Sequence, residues 1–142
     1  MVFKVIVAGG RDFTDYKMLK GVLDYFFFNK LEQGVSIEIV SGCAKGVDRL
    51  GEHYSKTVLG KEATKFPAPW DDVEGKASNE IGYTTNGKPY WKGAGHFRNG
   101  QMAEYADAAV LFWNGESTGT ENMIKQAKRN KLRVRVFPYV KK

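Results

Sequence analysis

Four short stretches of this sequence place small or charged residues where a chain usually turns: Gly9-Gly10-Arg11-Asp12-Phe13, Ser41-Gly42-Cys43-Ala44-Lys45-Gly46-Val47-Asp48, Pro67-Ala68-Pro69-Trp70 and Asn114-Gly115-Glu116-Ser117-Thr118-Gly119-Thr120. Backbone N–H groups at a helix start carry partial positive charge and point outward. An anion reaches them only where no bulky side chain intervenes, so Gly and Ser suit that place. Ser41-Gly42 and Ser117-Thr118-Gly119-Thr120 fit this use twice. The competing use is a tight turn in which glycine supplies a positive φ and nothing binds. Arg98, followed by Asn99, offers a guanidinium that can hold a phosphate bidentately, unless it pairs with an acid such as Glu104. Asp48 can accept from ribose hydroxyls or cap a helix. Trp70 and Trp113 can stack on a base or fill a core. None of the stretches has a GxxxxGK[ST] or GxGxxG frame.

Cleavage of an N-glycosidic bond would need a carboxylate to stabilise an oxocarbenium-like centre and activate water. Asp12, Asp48, Glu116 and Glu121 are the available groups near these turns. Metal chemistry has little to work with: His53 and His96 are far apart, and Cys43 is alone, so neither a zinc cluster nor an internal disulfide is expected. Cys43 stands near a helix start, which lowers a thiol pKa; the alternative is a small structural residue. No cofactor is called for.

The elements that must position these residues follow from periodicity. Val5 to Ala8 is a continuous apolar run, as in a buried parallel strand. From Asp15 to Gln33 apolar residues recur at helical spacing, with Gly34 as the stop. Ser36 to Val40 reads as a strand, Val47 to Leu59 as a helix ended by Gly60, and Ala63 to Phe66 as a strand ended by prolines. Asn99 to Ala106 is expected helical, Ala108 to Trp113 a strand, Gly119 to Asn130 a helix, and Leu132 to Phe137 a last strand. Thr118 and Glu121 have the spacing of a capping box. Trp70 to Gly95, with five glycines and no sustained period, reads as a long loop. Within it, residues 73–92 form an insertion, either a lid over the pocket or a partner-contacting hairpin, with an Asn-Gly turn signal at Thr85-Asn86-Gly87-Lys88. The order βαβαβ, loop, αβαβ predicts an α/β, Rossmann-like three-layer αβα domain with a mainly parallel sheet of about five strands. In that arrangement all four turns emerge at one sheet edge, where ligands bind.

At 142 residues the chain is long enough for one domain, expected to span residues 1–142. Hydrophobic residues at 42% exclude a disordered chain, and no apolar run approaches the ~18 residues of a membrane span. The opening MVFKVIVAGG reads as a strand rather than a signal segment, so a cytoplasmic location is expected. Net charge is +6, and all 16 acidic residues lie at or before Glu121. Eight basic residues follow it: Lys125, Lys128, Arg129, Lys131, Arg133, Arg135, Lys141 and Lys142. This basic C-terminal region suits nucleic acid, or equally a solvated helix face beside a protected edge strand. Phe26, Phe27 and Phe28 span too wide an arc for one buried stripe, so one is exposed or packs against a second copy in a homo-oligomer, unless a single broad core takes all three.

Taken together, GGRDF, SGCAKGVDRL, FPAPW, AGHFRNGQM and AAVLFWNGESTGTENMIKQA resemble the YspA-like branch of the SLOG superfamily, which joins the DNA-processing protein DprA to the LOG-type phosphoribohydrolases. The resemblance covers nearly the whole chain except roughly Val73 to Lys92. It implies a Rossmann-like sheet and a site for a nucleotide or nucleotide derivative built from Gly9, Gly10, Arg11, Ser41, Gly42, Ala44, Gly46, Asp48, Arg98, Asn99, Gly115, Gly119 and Thr120. Our reading of the turns adds Trp70 and Ser117. LOG enzymes carry PGGxGTxxE; here Gly119-Thr120 match, but the final Glu position falls on Met123, which has no acid–base capacity. Glu116 and Glu121 remain possible substitutes, with Asp48. Three functions are therefore expected to compete: a module that binds a nucleotide-derived phosphate ligand, an N-glycosidic hydrolase, and a DprA-like binder of single-stranded DNA.

Overall fold

Each buried strand of the chain presents apolar side chains to both faces, so it can be covered only by helices on both sides. The computed structural model describes residues 1–140 and shows this arrangement. Strands β1 (Val2–Gly9), β2 (Ser36–Ser41), β3 (Thr64–Lys65), β6 (Ala108–Trp113) and β7 (Arg133–Pro138) form one parallel sheet in the order β3-β2-β1-β6-β7. Val5 and Val7 point to one face, where they meet α1 (Tyr16–Glu32) and α2 (Val47–Tyr54) through Leu19, Leu23, Phe27, Val47 and Tyr54. Ile6 and Ala8 point to the other, against α3 (Ala94–Tyr105) and α4 (Thr118–Arg129) through Met102, Ala103, Met123 and Ala127. The result is a three-layer α/β, Rossmann-like fold with five strands, as the alternation of elements predicts.

Strand order reverses between β1 and β6, where Gly9 pairs with Phe112. A side chain at position 9 would strike the Phe112 carbonyl and the Val47 methyl, so this glycine permits the close packing of β1, β6 and α2. The reversal opens a crevice at the carboxyl ends of the strands.

The structure alters several local expectations. The helix read from Val47 to Leu59 is α-helical only to Tyr54 and widens into a π-helical turn at Ser55–Leu59. The buried Ser55 hydroxyl donates to the Lys61 carbonyl at 2.6 Å, and Thr57 donates back to the His53 carbonyl at 2.9 Å. Both bonds compete with regular helix closure. β3 is two residues rather than four. α3 starts at Ala94, earlier than the Asn99 start expected. α4 begins at Thr118 with Ser117 as its cap, accepting from the Thr120 amide at 3.3 Å, so the capping role falls on Ser117 rather than Thr118. The long loop contains an antiparallel hairpin, β4 (Ile81–Tyr83) and β5 (Pro89–Trp91), which turns through Asn86 and Gly87 at φ +81°.

Of the three consecutive phenylalanines, Phe27 is in the core, Phe26 packs on Phe137, and Phe28 is exposed. Among the described residues no helix is long and apolar enough to cross a membrane. Lys141 and Lys142 of the basic run lie outside the described residues.

Candidate functional site

At the carboxyl edge of the sheet a hollow of about 450 Å³ opens where β1 and β6 part. Its walls include Gly9 and Arg11 from the turn after β1, Ala44 and Asp48 from the β2–α2 connection, and Trp70 after β3. Arg98 and Asn99 of α3, and Ser117, Gly119 and Thr120 at the start of α4, complete the set of sequence-selected residues on it. Turns more than a hundred residues apart in the sequence thus share one enclosure.

Arg98 is held from several sides. Its Nε donates to Asn99 Oδ1 at 3.0 Å, and its Nη1 donates to the carbonyls of Gly42 and, at 3.4 Å, Phe66. Burial pulls the guanidinium below its ordinary pKa, the Asp48 charge opposes that, and Arg11 adds to the lowering. The Glu104 pairing considered from sequence is not among the ion pairs of the described residues. Asn99, buried in α3, uses its amide nitrogen on the Gly119 carbonyl at 3.3 Å and on Asn122 Oδ1 at 3.1 Å. One side chain therefore fixes both the guanidinium and the first turn of α4.

Ser117 satisfies the Thr120 amide, and the Glu121 amide bonds to the Ser117 carbonyl. The Thr118 and Gly119 amides precede the first intrahelical bond and have no acceptor within the helix. They stand on the wall of the hollow at the positive end of a twelve-residue helix.

Asp48 lies in the first turn of α2, whose cap residue is Gly46, so it does not cap the helix. It is only 4% exposed. Burial pushes its carboxyl up to about 6, while the amides of Ala44 and Gly9 and the charge of Arg98 pull the other way. The Ala44 amide donates to Asp48 Oδ2 at 3.2 Å. Asp48 is the single carboxylate on the hollow among the described residues.

Other selected residues are placed behind the wall or away from it. Ser41 is fully buried, donates to Glu52 at 2.7 Å and accepts from the Cys43 amide. A Cβ on Gly42 would come within 2.6 Å of Arg98 Nη1 and 2.8 Å of Asp48 Oδ2, so this glycine leaves room for the two charged groups. Gly46, at φ +77°, faces the Gly10 carbonyl so closely that no side chain fits. Gly10 itself lies under the Tyr139 hydroxyl, which donates to Asp12. Gly115 and Glu116 are in an exposed turn closed by Asn114 Oδ1. Glu121 pairs with Lys125 at 3.6 Å and is not on the wall. Trp113 donates to the Ser117 carbonyl instead of facing the hollow. The Cys43 thiol is pushed up by burial and by the charges of Glu52 and Asp48, the reverse of helix-start activation.

The wall also contains residues that sequence reasoning did not select, Lys92, Gly95, His96 and Met102, together with Thr118 of the expected anion cradle and Met123 at the expected Glu position. Gly95 and His96 had a signal, because they immediately precede Arg98 on one helical turn. Lys92 had only a segment-level signal, since it ends the 73–92 insertion expected as a lid over the pocket or a partner-contacting hairpin. Among the described residues no group of three or more His, Cys, Asp and Glu side chains gathers to hold a metal.

No protein-family model matches the chain, and no curated protein matches it in sequence. In structure the chain is similar to a solved chain of DNA processing protein A from Helicobacter pylori, described for its single-stranded DNA binding mode. The TM-score is 0.60 at 17% sequence identity, over 96% of this chain and 66% of that one. The likeness shows a shared α/β fold, and this chain spans about two thirds of the length of the chain it matches.

Proposed function

We propose that the chain binds a nucleotide or nucleotide-derived phosphate ligand at the carboxyl edge of its sheet, as a sensing or sequestering module of the SLOG type. One observation carries the reading: Arg98, Arg11, Lys92 and the amide-bearing start of α4 face the same hollow, of about 450 Å³. That size lies within the ~300–1,000 Å³ typical of small-molecule sites. Burial is the main cause of the lowered Arg98 pKa, repulsion from Arg11 adds a smaller part, and an anion between the two guanidinium groups relieves that repulsion. Asp48 supplies an acceptor for sugar hydroxyls on the same wall, and Trp70 an aromatic surface for a base.

The test is thermal stabilisation by a panel of nucleotides, since a ligand that prefers the folded chain raises its Tm. Arg98 also ties together the ends of β2 and β3, so Arg11→Ala is the cleaner variant. It should abolish the Tm shift with the unliganded Tm unchanged. A full shift in that variant would refute the phosphate role.

A hydrolytic reading narrows to Asp48, because it is the carboxylate on the wall and its raised pKa suits proton transfer near neutrality. Release of free base or ribose phosphate, lost in Asp48→Asn, would favour it. For single-stranded DNA, the supporting observation is the basic edge of β7 and the last turn of α4, with Lys128, Arg129, Lys131, Arg133 and Arg135 exposed. Oligonucleotide affinity falling steeply with salt would favour that reading.

A further inference from the structure

A second hollow, of about 470 Å³, adjoins the first and shares two of its walls, Arg11 and Trp70. Its remaining sides come from the hairpin, through Thr84, Lys88 and Tyr90, and from Asp71. The Trp70 and Tyr90 rings stand edge to face, 6.1 Å apart at 74°. Lys88 and Asp71 pair across the rim at 3.3 Å, strapping the hairpin to the segment that bears Trp70. The backbone repeats this link, since the Trp91 amide donates to the Trp70 carbonyl at 2.8 Å.

Arg11 is the informative residue. It is exposed at the junction of the two hollows, and no hydrogen bond or ion pair among the described residues engages its side chain. Each hollow by itself is large enough for a small molecule. One has polar and cationic walls with a buried carboxylate; the other has two aromatic rings under a polar rim. A free guanidinium between two such compartments suits a ligand whose phosphates lie in its middle rather than at one end.

We infer that the ligand is two-part: two nucleoside-like units joined through phosphate, with the linkage at Arg11, one unit in the sheet-edge hollow and the other against Trp70 and Tyr90. This rests on the nucleotide reading above and specifies its ligand class. The hairpin then acts as a recognition element, because it builds the second compartment.

The experiment compares ADP with diadenosine diphosphate, which carries the same diphosphate and one more adenosine, by calorimetric titration of the whole chain; the guanine counterparts are run beside them. The second nucleoside should tighten binding about tenfold or more through added aromatic contact, and should quench tryptophan fluorescence beyond the level that ADP produces in the wild type but not in Trp70→Phe. Tyr90→Ala should bring the two-part ligand back toward the wild-type affinity for ADP. If that variant does not fold, the wild-type comparison decides alone. Equal affinities for the one-part and two-part ligands would overturn this inference and leave nucleotide binding standing. Binding of neither type would overturn both.

Discussion

Asp48 joins burial to charge in a single side chain. Its folded pKa is raised from the ordinary 3.8 to about 6. The proton is held more tightly in the folded chain, so the favourable contribution of the neutral form is complete below about pH 4 and is lost as pH rises through about 6. A shift of this size corresponds to about 3 kcal/mol across that window. Asp48→Asn keeps an acceptor for the Ala44 amide and removes the titration. The Tm of this variant should therefore fall less than that of the wild type between pH 4 and pH 7, which calorimetry at a series of pH values will check. Gly42 makes a complementary case. Gly42→Ala puts a methyl group against Arg98 and Asp48. The guanidinium can swing away, so the fold should survive with about 1–3 kcal/mol lost, while the nucleotide-induced Tm shift disappears. Sequence alone marks positions 42 and 46 as glycines in a turn, and a phosphate cradle and a close approach look the same at that level. The clashes that decide between them involve Arg98 and the Gly10 carbonyl, from other segments.

At the scale of elements, the first turn of α4 and the α3 guanidinium are coupled through Asn99. Asn99→Ala leaves the Asn122 side chain and the Gly119 carbonyl without this donor. The loss should be about 1–3 kcal/mol in denaturant unfolding. Ligand affinity should fall as well, because Arg98 loses the acceptor at its Nε. Much of the element plan was legible: Val5–Ala8 and Ala108–Trp113 are uninterrupted apolar runs, and strands buried on both faces read that way. The Asn-Gly pair announced the hairpin turn. The start of α3 was not legible, because Gly93, Ala94, Gly95 and His96 offer no periodic apolar signal, and Ala94 is drawn in by tertiary packing. The π-helical widening after Tyr54 was equally hidden, since it depends on a hydroxyl finding the carbonyl of Lys61.

Over the whole molecule, charge and site are separated. α4 runs from the hollow back to the opposite edge of the sheet, and twelve residues at 1.5 Å each make it about 18 Å long. Lys128, Arg129 and Arg133 therefore lie at the far edge from Arg98 and Asp48. Neutralising Lys128, Arg129, Arg133 and Arg135 together should leave nucleotide-induced Tm shifts unchanged, and should abolish any oligonucleotide retention at low salt. Convergence of the strand-end turns was legible because parallel connectivity sends them to one edge. The hairpin's share in the site was legible only as a lid over the pocket at residues 73–92; the side chains it supplies were not, because Tyr90 meets Trp70 through a contact that no local pattern encodes.

The hairpin also bears on how such a chain can diversify. Its stem is fastened through backbone bonds, Trp91 to Trp70 and Lys92 to Glu80, both at 2.8 Å, while the tip from Thr84 to Lys88 is solvent-facing. Main-chain anchoring is indifferent to side-chain identity at the tip. New specificities can thus be grafted there by mutagenesis while the αβα scaffold stays as it is, and a library randomised at Thr85 and Asn86, which leaves the Lys88–Asp71 pair and the Thr84 hydroxyl in place, should retain the parental melting temperature in most of its members.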